Sequence, residues 1–318
     1  MNLLELRNAM QKNISSVMTG CEKHTDLFLM CALISGHVLL EDVPGTGKTT
    51  LAKAFARSME ADFQRIQFTP DLLPSDLSGV SIYLQDQQDF SFRKGPLFAQ
   101  IVLADEINRA APRTQSSMLE AMEEYQISVD GNTYKLPEPF MVIATQNPIE
   151  NAGTFPLPEA QIDRFAVRLS MGYPQMEDEI LMLKNQGNGS LLDTLKPVIS
   201  SLKFIELKKQ WHSVFISDAL YEYLLKIVEA TRNHEKITLG LSPRASLVMV
   251  KCLKAYAALM GRDYVLPDDI KALIHPVFDH RLIIKGASYT RKGNTAILLD
   301  EIMESIPVPT ENFTGKQG

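Results

Sequence analysis

A lysine and a threonine behind two glycines, Gly45-Thr46-Gly47-Lys48-Thr49, are the residues of this 318-residue chain whose types and spacing most directly suggest chemistry. The apolar run Val38-Leu39-Leu40 stands just before them, and the helix-forming segment Leu51-Ala52-Lys53-Ala54-Phe55-Ala56 follows. Strand, glycine loop, Lys-Thr and helix is the order of a phosphate-binding loop. The glycines let backbone N–H groups turn inward around an anionic phosphate chain, at the positive end of the following helix. In this reading Pro44, Gly45, Thr46, Gly47, Lys48, Thr49 and Thr50 bind nucleotide. Lys48 neutralises the β and γ phosphates, and the Thr49 hydroxyl holds Mg²⁺. The full pattern asks for glycine at position 42, where this chain has Asp42. That carboxylate is expected to point away from the phosphates.

A second apolar run, Ile101-Val102-Leu103-Ala104, ends in Asp105-Glu106. It reads as a buried strand delivering two acids to its carboxyl end. Asp105 would accept from the water shell of Mg²⁺, and Glu106 would polarise the attacking water. Three further residues narrow the chemistry. Asn147 ends the strand-like Ala144-Thr145-Gln146-Asn147, where a neutral amide can orient water or touch the γ-phosphate without adding charge. Arg164 closes Leu157-Pro158-Glu159-Ala160-Gln161-Ile162-Asp163-Arg164, and Arg244 follows Ser242-Pro243 at a helix start. A guanidinium is the group best suited to charge developing on a phosphoryl group. Arg109 and Arg113, close behind the acid pair, stay unassigned.

The elements that must position these groups alternate strand and helix in the first half. Strand-like runs are Val38-Leu39-Leu40, 62–68, 101–105, 140–145 and 165–169, with helices between them, one over 112–124. This predicts an α/β fold: a parallel five-stranded sheet with helices on both faces, an αβα core. Residues 70–96 interrupt it as an exposed insert, and 126–137 reads as a hairpin turning at Asp130-Gly131. From about residue 175 the pattern becomes amphipathic helices, over 177–185, 217–233, 243–260, 267–274 and 294–305. The predicted organisation is a core over 1–175 and a small all-helical lid over 176–318. Residues 185–190 would form a flexible connection, and the tail from Pro307 would be loose.

Composition excludes several classes. At 45% hydrophobic the chain can bury a large core. Its 32 Lys and Arg against 38 Asp and Glu, with no basic block, leave no field for nucleic acid. Cys21, Cys31 and Cys252 are widely spaced and fit buried, reduced thiols. No secretory leader is recognisable at the N-terminus, and the longest apolar run, 27–34, is too short to span a bilayer. The expected location is the cytoplasm, without membrane insertion. No His pair has the spacing of a helical zinc site, and His275 and His280 read as separate surface histidines.

Taken together, these motifs resemble the MoxR group of AAA+ ATPases, which are P-loop NTPases. Residues 42–49 match its Walker A, Leu103-Ala104-Asp105-Glu106-Ile107-Asn108-Arg109-Ala110 its Walker B, and Thr145-Gln146-Asn147-Pro148 its sensor 1 strand. Residues 157–165 resemble the arginine-finger helix, and Gly240-Leu241-Ser242-Pro243-Arg244-Ala245 the sensor 2 motif. Phe68-Thr69-Pro70-Asp71-Leu72-Leu73-Pro74-Ser75-Asp76-Leu77 and Gly95-Pro96-Leu97-Phe98 resemble the segments bounding the helix-2 insert. The resemblance implies Mg²⁺-dependent ATP hydrolysis in a ring, most simply a hexamer. It implies that Asn147 senses the γ-phosphate, that Arg244 binds nucleotide and reports its state to the lid, and that Arg164 acts in trans on the neighbouring subunit. It further implies chaperone action on protein clients, among them proteins with a von Willebrand A-type domain, assisting metal insertion or maturation. The insert, with Tyr83, Phe90 and Phe92, is the candidate contact surface. A small-molecule kinase and a DNA-associated AAA+ motor share parts of this chemistry and remain the alternatives.

Overall fold

Two helices precede the first strand. In α1 (Leu3–Ser15) the Asn2 Oδ1 accepts the Glu5 N–H at 2.8 Å while Glu5 accepts the Asn2 N–H at 3.0 Å, a reciprocal cap. Its buried stripe is Leu3, Leu6, Met10 and Ile14. In α2 (Glu22–Leu33) every residue from Thr25 to Leu33 is buried. A helix buried all round has no polar face to give it away, and the sequence reading assigns no element here. The computed structural model describes residues 1–86, 88–147, 153–173, 175–184, 191–286 and 293–310. The predicted connection at 185–190, Pro148 and the tail beyond 310 lie outside them.

The expected sheet is present and wholly parallel, in the order β2 (Phe63–Gln67), β5 (Ile101–Asp105), β8 (Met141–Gln146), β1 (Val38–Glu41) and β9 (Val167–Leu169). Alternation along β1 assigns its two faces. Val38 and Leu40 join a cluster with α1, α2 and α3 (Lys48–Ser58), whereas Leu39 joins a second cluster with α5 (Pro112–Glu124). The insert is α4 (Pro74–Ser78) followed by the antiparallel hairpin β3 (Gly79–Leu84) and β4 (Asp89–Lys94). Tyr83 and Phe90 are exposed and meet edge to face, with ring centroids 5.3 Å apart. Phe92, expected at the surface, instead stacks at 4.2 Å on Tyr134 of the second hairpin, β6 (Gln126–Val129) and β7 (Asn132–Lys135).

After the short α6 (Glu159–Ile162) and β9, the chain is helical: α7 (Met176–Lys184), α8 (Leu191–Thr194), α9 (Ser201–Lys208), α10 (Asp218–Asn233), α11 (Pro243–Leu259), α12 (Pro267–Phe278) and α13 (Gly293–Ser305). One antiparallel pair, β10 (Ile237–Leu239) with β11 (Ile283–Ile284), interrupts the helices of this lid. The lid helices pack into the same apolar cluster as α1 to α3, and Trp211 Nε1 donates to Leu33 O at 3.0 Å. α12 runs four residues past its expected end, with Pro276 inside the helix. His280 corrects a second expectation: it is buried, its Nε2 meeting Phe165 O at 3.1 Å. All three cysteines are free and buried.

Candidate nucleotide site

The glycine loop joins the carboxyl end of β1 to α3. Gly45 and Gly47 both have φ of 87°, a left-handed conformation that only glycine adopts without strain. A Cβ at Gly45 would meet nothing within 4 Å, so the loop opens there onto free space able to receive a phosphate chain. At Gly47 a Cβ would run into Met18 Cε at 2.7 Å. Met18, from the segment behind α1, thus covers the loop, and no motif marks it in the sequence. The Lys48 ammonium donates to Asp42 O at 2.9 Å and Val43 O at 3.1 Å. Partial burial lowers its pKa, and the nearby Asp42, Asp105 and Glu106 oppose that shift.

Asp42 faces away from the loop. Its Oδ1 accepts from Ser170 Oγ at 2.9 Å and from the Gly172 N–H at 3.2 Å, and its Oδ2 from the Met171 N–H. The carboxylate therefore ties the start of the loop to the chain leaving β9. The residue there is Tyr173, which is exposed, as is Met176 at the start of α7.

Asp105 and Glu106 stand at the carboxyl end of β5, beside β8. The Thr145 hydroxyl donates to Asp105 Oδ1 at 2.6 Å and accepts the Glu106 N–H at 2.9 Å. Arg65 Nε and Nη2 donate to Asp105 Oδ2 at 3.1 and 2.6 Å. Gln67 Nε2 donates to Glu106 Oε2 at 2.7 Å, and Arg109 Nε approaches the same oxygen at 3.0 Å. Glu106 has φ 58° and ψ 49°, a conformation costly for a side chain with a Cβ. Such strain persists where surrounding bonds over-determine it, and it concentrates at functional sites. Thr145, Arg65 and Gln67 escaped the sequence reading because each contact spans about forty residues.

Asn147 directly follows β8 and is buried; Asp42 N–H donates to Gln146 O at 3.3 Å, which places Asn147 beside the loop. Gln146 itself donates to the buried Glu41, which pairs with Arg168 at 3.6 Å. The glycine loop, the acid pair and Asn147 thus converge on one edge of the sheet.

Arg164 and Arg244 do not join them. His37, one residue before β1, marks the opposite edge: its carbonyl accepts the Ala166 N–H at 2.9 Å, its Nε2 meets Met122 O at 3.0 Å, and its Nδ1 accepts the Val142 N–H at 3.0 Å. Arg164 lies two residues before Ala166. Its Nη2 pairs with Glu123 Oε2 at 3.1 Å, and Arg244 Nη1 pairs with Glu123 Oε1 at 3.2 Å. Both arginines are therefore anchored at the amino end of the strands. The four residues of β1, about 13 Å at ~3.3 Å each, lie between that edge and the glycine loop. Arg244, read from the sequence as a nucleotide ligand, stands apart from the loop of its own chain.

Comparison with known proteins finds relatives along nearly the whole chain. Residues 37–167 match the model of the ATPase family associated with various cellular activities (AAA), and residues 229–302 match the AAA lid domain. The protein YeaC of Bacillus subtilis is 48% identical over 94% of both chains. Chaperone MoxR1 of Mycobacterium tuberculosis is 37% identical over 96% of this chain and 83% of its own. Among solved structures, a putative ATPase from Cytophaga hutchinsonii superimposes with a TM-score of 0.87 at 36% identity, covering 97% of each chain.

Proposed function

Because the chain belongs to the MoxR family of AAA+ ATPases and is an ATPase, we propose that it works as a homo-oligomeric ring, most simply a hexamer, with ATP cleaved between adjacent subunits. The observation that carries this reading is the separation of Arg164 and Arg244 from the glycine loop across the sheet. Neither guanidinium serves its own site, so each is assigned to the neighbour's: Arg164 as the finger in trans, and Arg244 beside it as the sensor of the neighbour's nucleotide. Hydrolysis then depends on assembly.

Within one site, backbone N–H groups of 45–50, in the loop that Pro44 opens, and the Lys48 ammonium bind the phosphates. Glu106, held by Gln67 and Thr145, orients and deprotonates water, and Asn147 holds that water or the γ-phosphate. The hard oxygen donors Thr49 Oγ1 and Asp105 suit Mg²⁺, which would be held by them through phosphate and water. It would supply neutralisation of phosphate charge. Met18, which covers the loop at Gly47, and Tyr173, exposed just beyond the segment that Asp42 holds, would form the platform for the base. We place the boundary between core and lid at 175/176, where α7 begins.

The work done with this energy is remodelling of partner proteins in the cytoplasm. One relative bears the name chaperone, and the insert presents Tyr83 and Phe90 to solvent. Clients with a von Willebrand A-type domain, and metal insertion into them, are the finer form of this reading. A monomeric kinase would leave two arginines without use, and a chain of net charge −6 offers a DNA motor no overall positive field.

The test is ATPase rate against protein concentration, for wild type and for Arg164→Ala mixed with Glu106→Gln. A ring with a trans finger gives a rate per subunit that rises steeply with concentration, and activity that returns on mixing two dead variants. A constant rate and no rescue would return the protein to the monomeric phosphotransferases.

A further inference from the structure

We propose that Glu123 is a positioning residue of the site between subunits: one carboxylate that sets Arg164 and Arg244 side by side as a single receptor for the neighbour's phosphate. The proposal rests on the ring reading above and deepens it. Two guanidiniums held close repel each other, and an exposed ion pair alone is worth little. Here one carboxylate bridges both, Oε2 to Arg164 at 3.1 Å and Oε1 to Arg244 at 3.2 Å. Each arginine spends a single terminal nitrogen on it. Among the described residues Arg164 has no other side-chain ion pair, and the second partner of Arg244, Asp163, is distant at 3.9 Å. The remaining N–H groups are left for a ligand.

Asp163 is committed elsewhere. Its Oδ1 accepts Arg281 Nε at 2.7 Å, and Arg281 is 7% exposed, so this acid serves as counter-ion to a buried cation. Its Oδ2 stays 3.9 Å from Arg244 Nε, so Glu123 is the nearer counter-ion of the exposed pair. Two positive charges and one negative leave a net positive group at that spot, which suits an anion and not a neutral ligand. The three side chains are 28–47% exposed, open to a second copy of the chain. The backbone beneath is fixed, since Met122, the residue before Glu123, gives its carbonyl to the buried His37. The geometry therefore assigns the orientation of both trans arginines to a residue on α5, which also follows the acid pair of its own site.

The experiment is steady-state kinetics of Glu123→Gln with mixed-ring complementation. The variant should lose about tenfold or more in kcat, with the KM for ATP held within about twofold, because the group acts on charge that develops in the transition state. Glu123→Gln mixed with Glu106→Gln should regain activity, since the Glu123→Gln subunit's intact acid then meets an intact arginine face. Glu123→Gln mixed with Arg164→Ala should stay inactive, because both lesions lie on one face. Arg244→Ala should fall in the same group as Arg164→Ala. If Arg164→Ala and Glu106→Gln rescue each other while Glu123→Gln turns over at the wild-type rate or faster, or rescues Arg164→Ala, the role of Glu123 is overturned and the ring stands. If that first pair does not rescue, the ring reading fails instead.

Discussion

The hydroxyl of Thr145 accepts the backbone N–H of Glu106 at 2.9 Å and donates to Asp105 Oδ1 at 2.6 Å. A single oxygen on β8 thereby fixes both acids at the end of β5, one through its main chain and one through its carboxylate. Replacing Thr145 with valine keeps the shape and removes that oxygen. The buried N–H loses its acceptor at the point where Glu106 is strained. Thr145→Val is expected to cost about 1–3 kcal/mol of stability. It should also lower kcat more than it changes the KM for ATP. Urea unfolding and steady-state kinetics check the two parts separately, and an unchanged kcat would show that Glu106 needs no such anchor.

Lys48 and Glu106 should separate binding from turnover. Lys48→Ala removes a charge-assisted contact worth about 1.5–3 kcal/mol, so ATP affinity itself should fall by tenfold or more. Glu106→Gln should keep the affinity and lose about a hundredfold or more in kcat. Fluorescent-nucleotide titration beside phosphate release distinguishes the two. Equal affinity for Lys48→Ala and wild type would remove the glycine loop from the phosphate site.

Asp42 makes an unusual prediction, because restoring the expected glycine should harm the protein. Its carboxylate holds Ser170, Met171 and Gly172. Asp42→Gly should destabilise the chain by about 1–3 kcal/mol, with Asp42→Asn falling between. Chemical denaturation midpoints report this. A glycine variant as stable as wild type would mean that these bonds are replaced by water at no cost.

Acid should weaken the fold through His37. Burial pushes its pKa down to about 4 from the ordinary 6.5, so the folded state keeps it neutral while the unfolded chain takes up a proton. Stability from this residue is intact above pH 6.5 and is lost as pH falls toward 4, about 3 kcal/mol in all. Buried His280 shifts in the same direction. His275 runs the other way: its hydrogen bond to Asp279 raises its pKa, so its contribution is present below 6.5 and fades as pH rises through that raised value. Unfolding midpoints at pH 7 and pH 5 should differ less for His37→Gln than for wild type. NMR titration should find His37 neutral at pH 5.

The sequence by itself determined the parts that local spacing encodes. Alternating apolar residues name a strand, two glycines before Lys48-Thr49 name a loop with left-handed turns, and an apolar run ending in Asp105-Glu106 names the strand beside it. Each is a relation among neighbours in the chain, so backbone geometry alone makes it visible. The helix over 112–124 and the hairpin turning at Asp130-Gly131 were legible for the same reason. The tertiary structure decided everything that depends on who meets whom across the fold. α2 stayed hidden because burial all round erases amphipathic periodicity, and His280 read as exposed because only packing tells a buried imidazole from a free one. Thr145 reaches Glu106 from 39 residues away, and Glu123 gathers two arginines far from it in the chain. A guanidinium carries the same charge wherever it stands. Only the folded sheet, with the glycine loop at one end of β1 and His37 at the other, separates Arg164 and Arg244 from the site in their own chain.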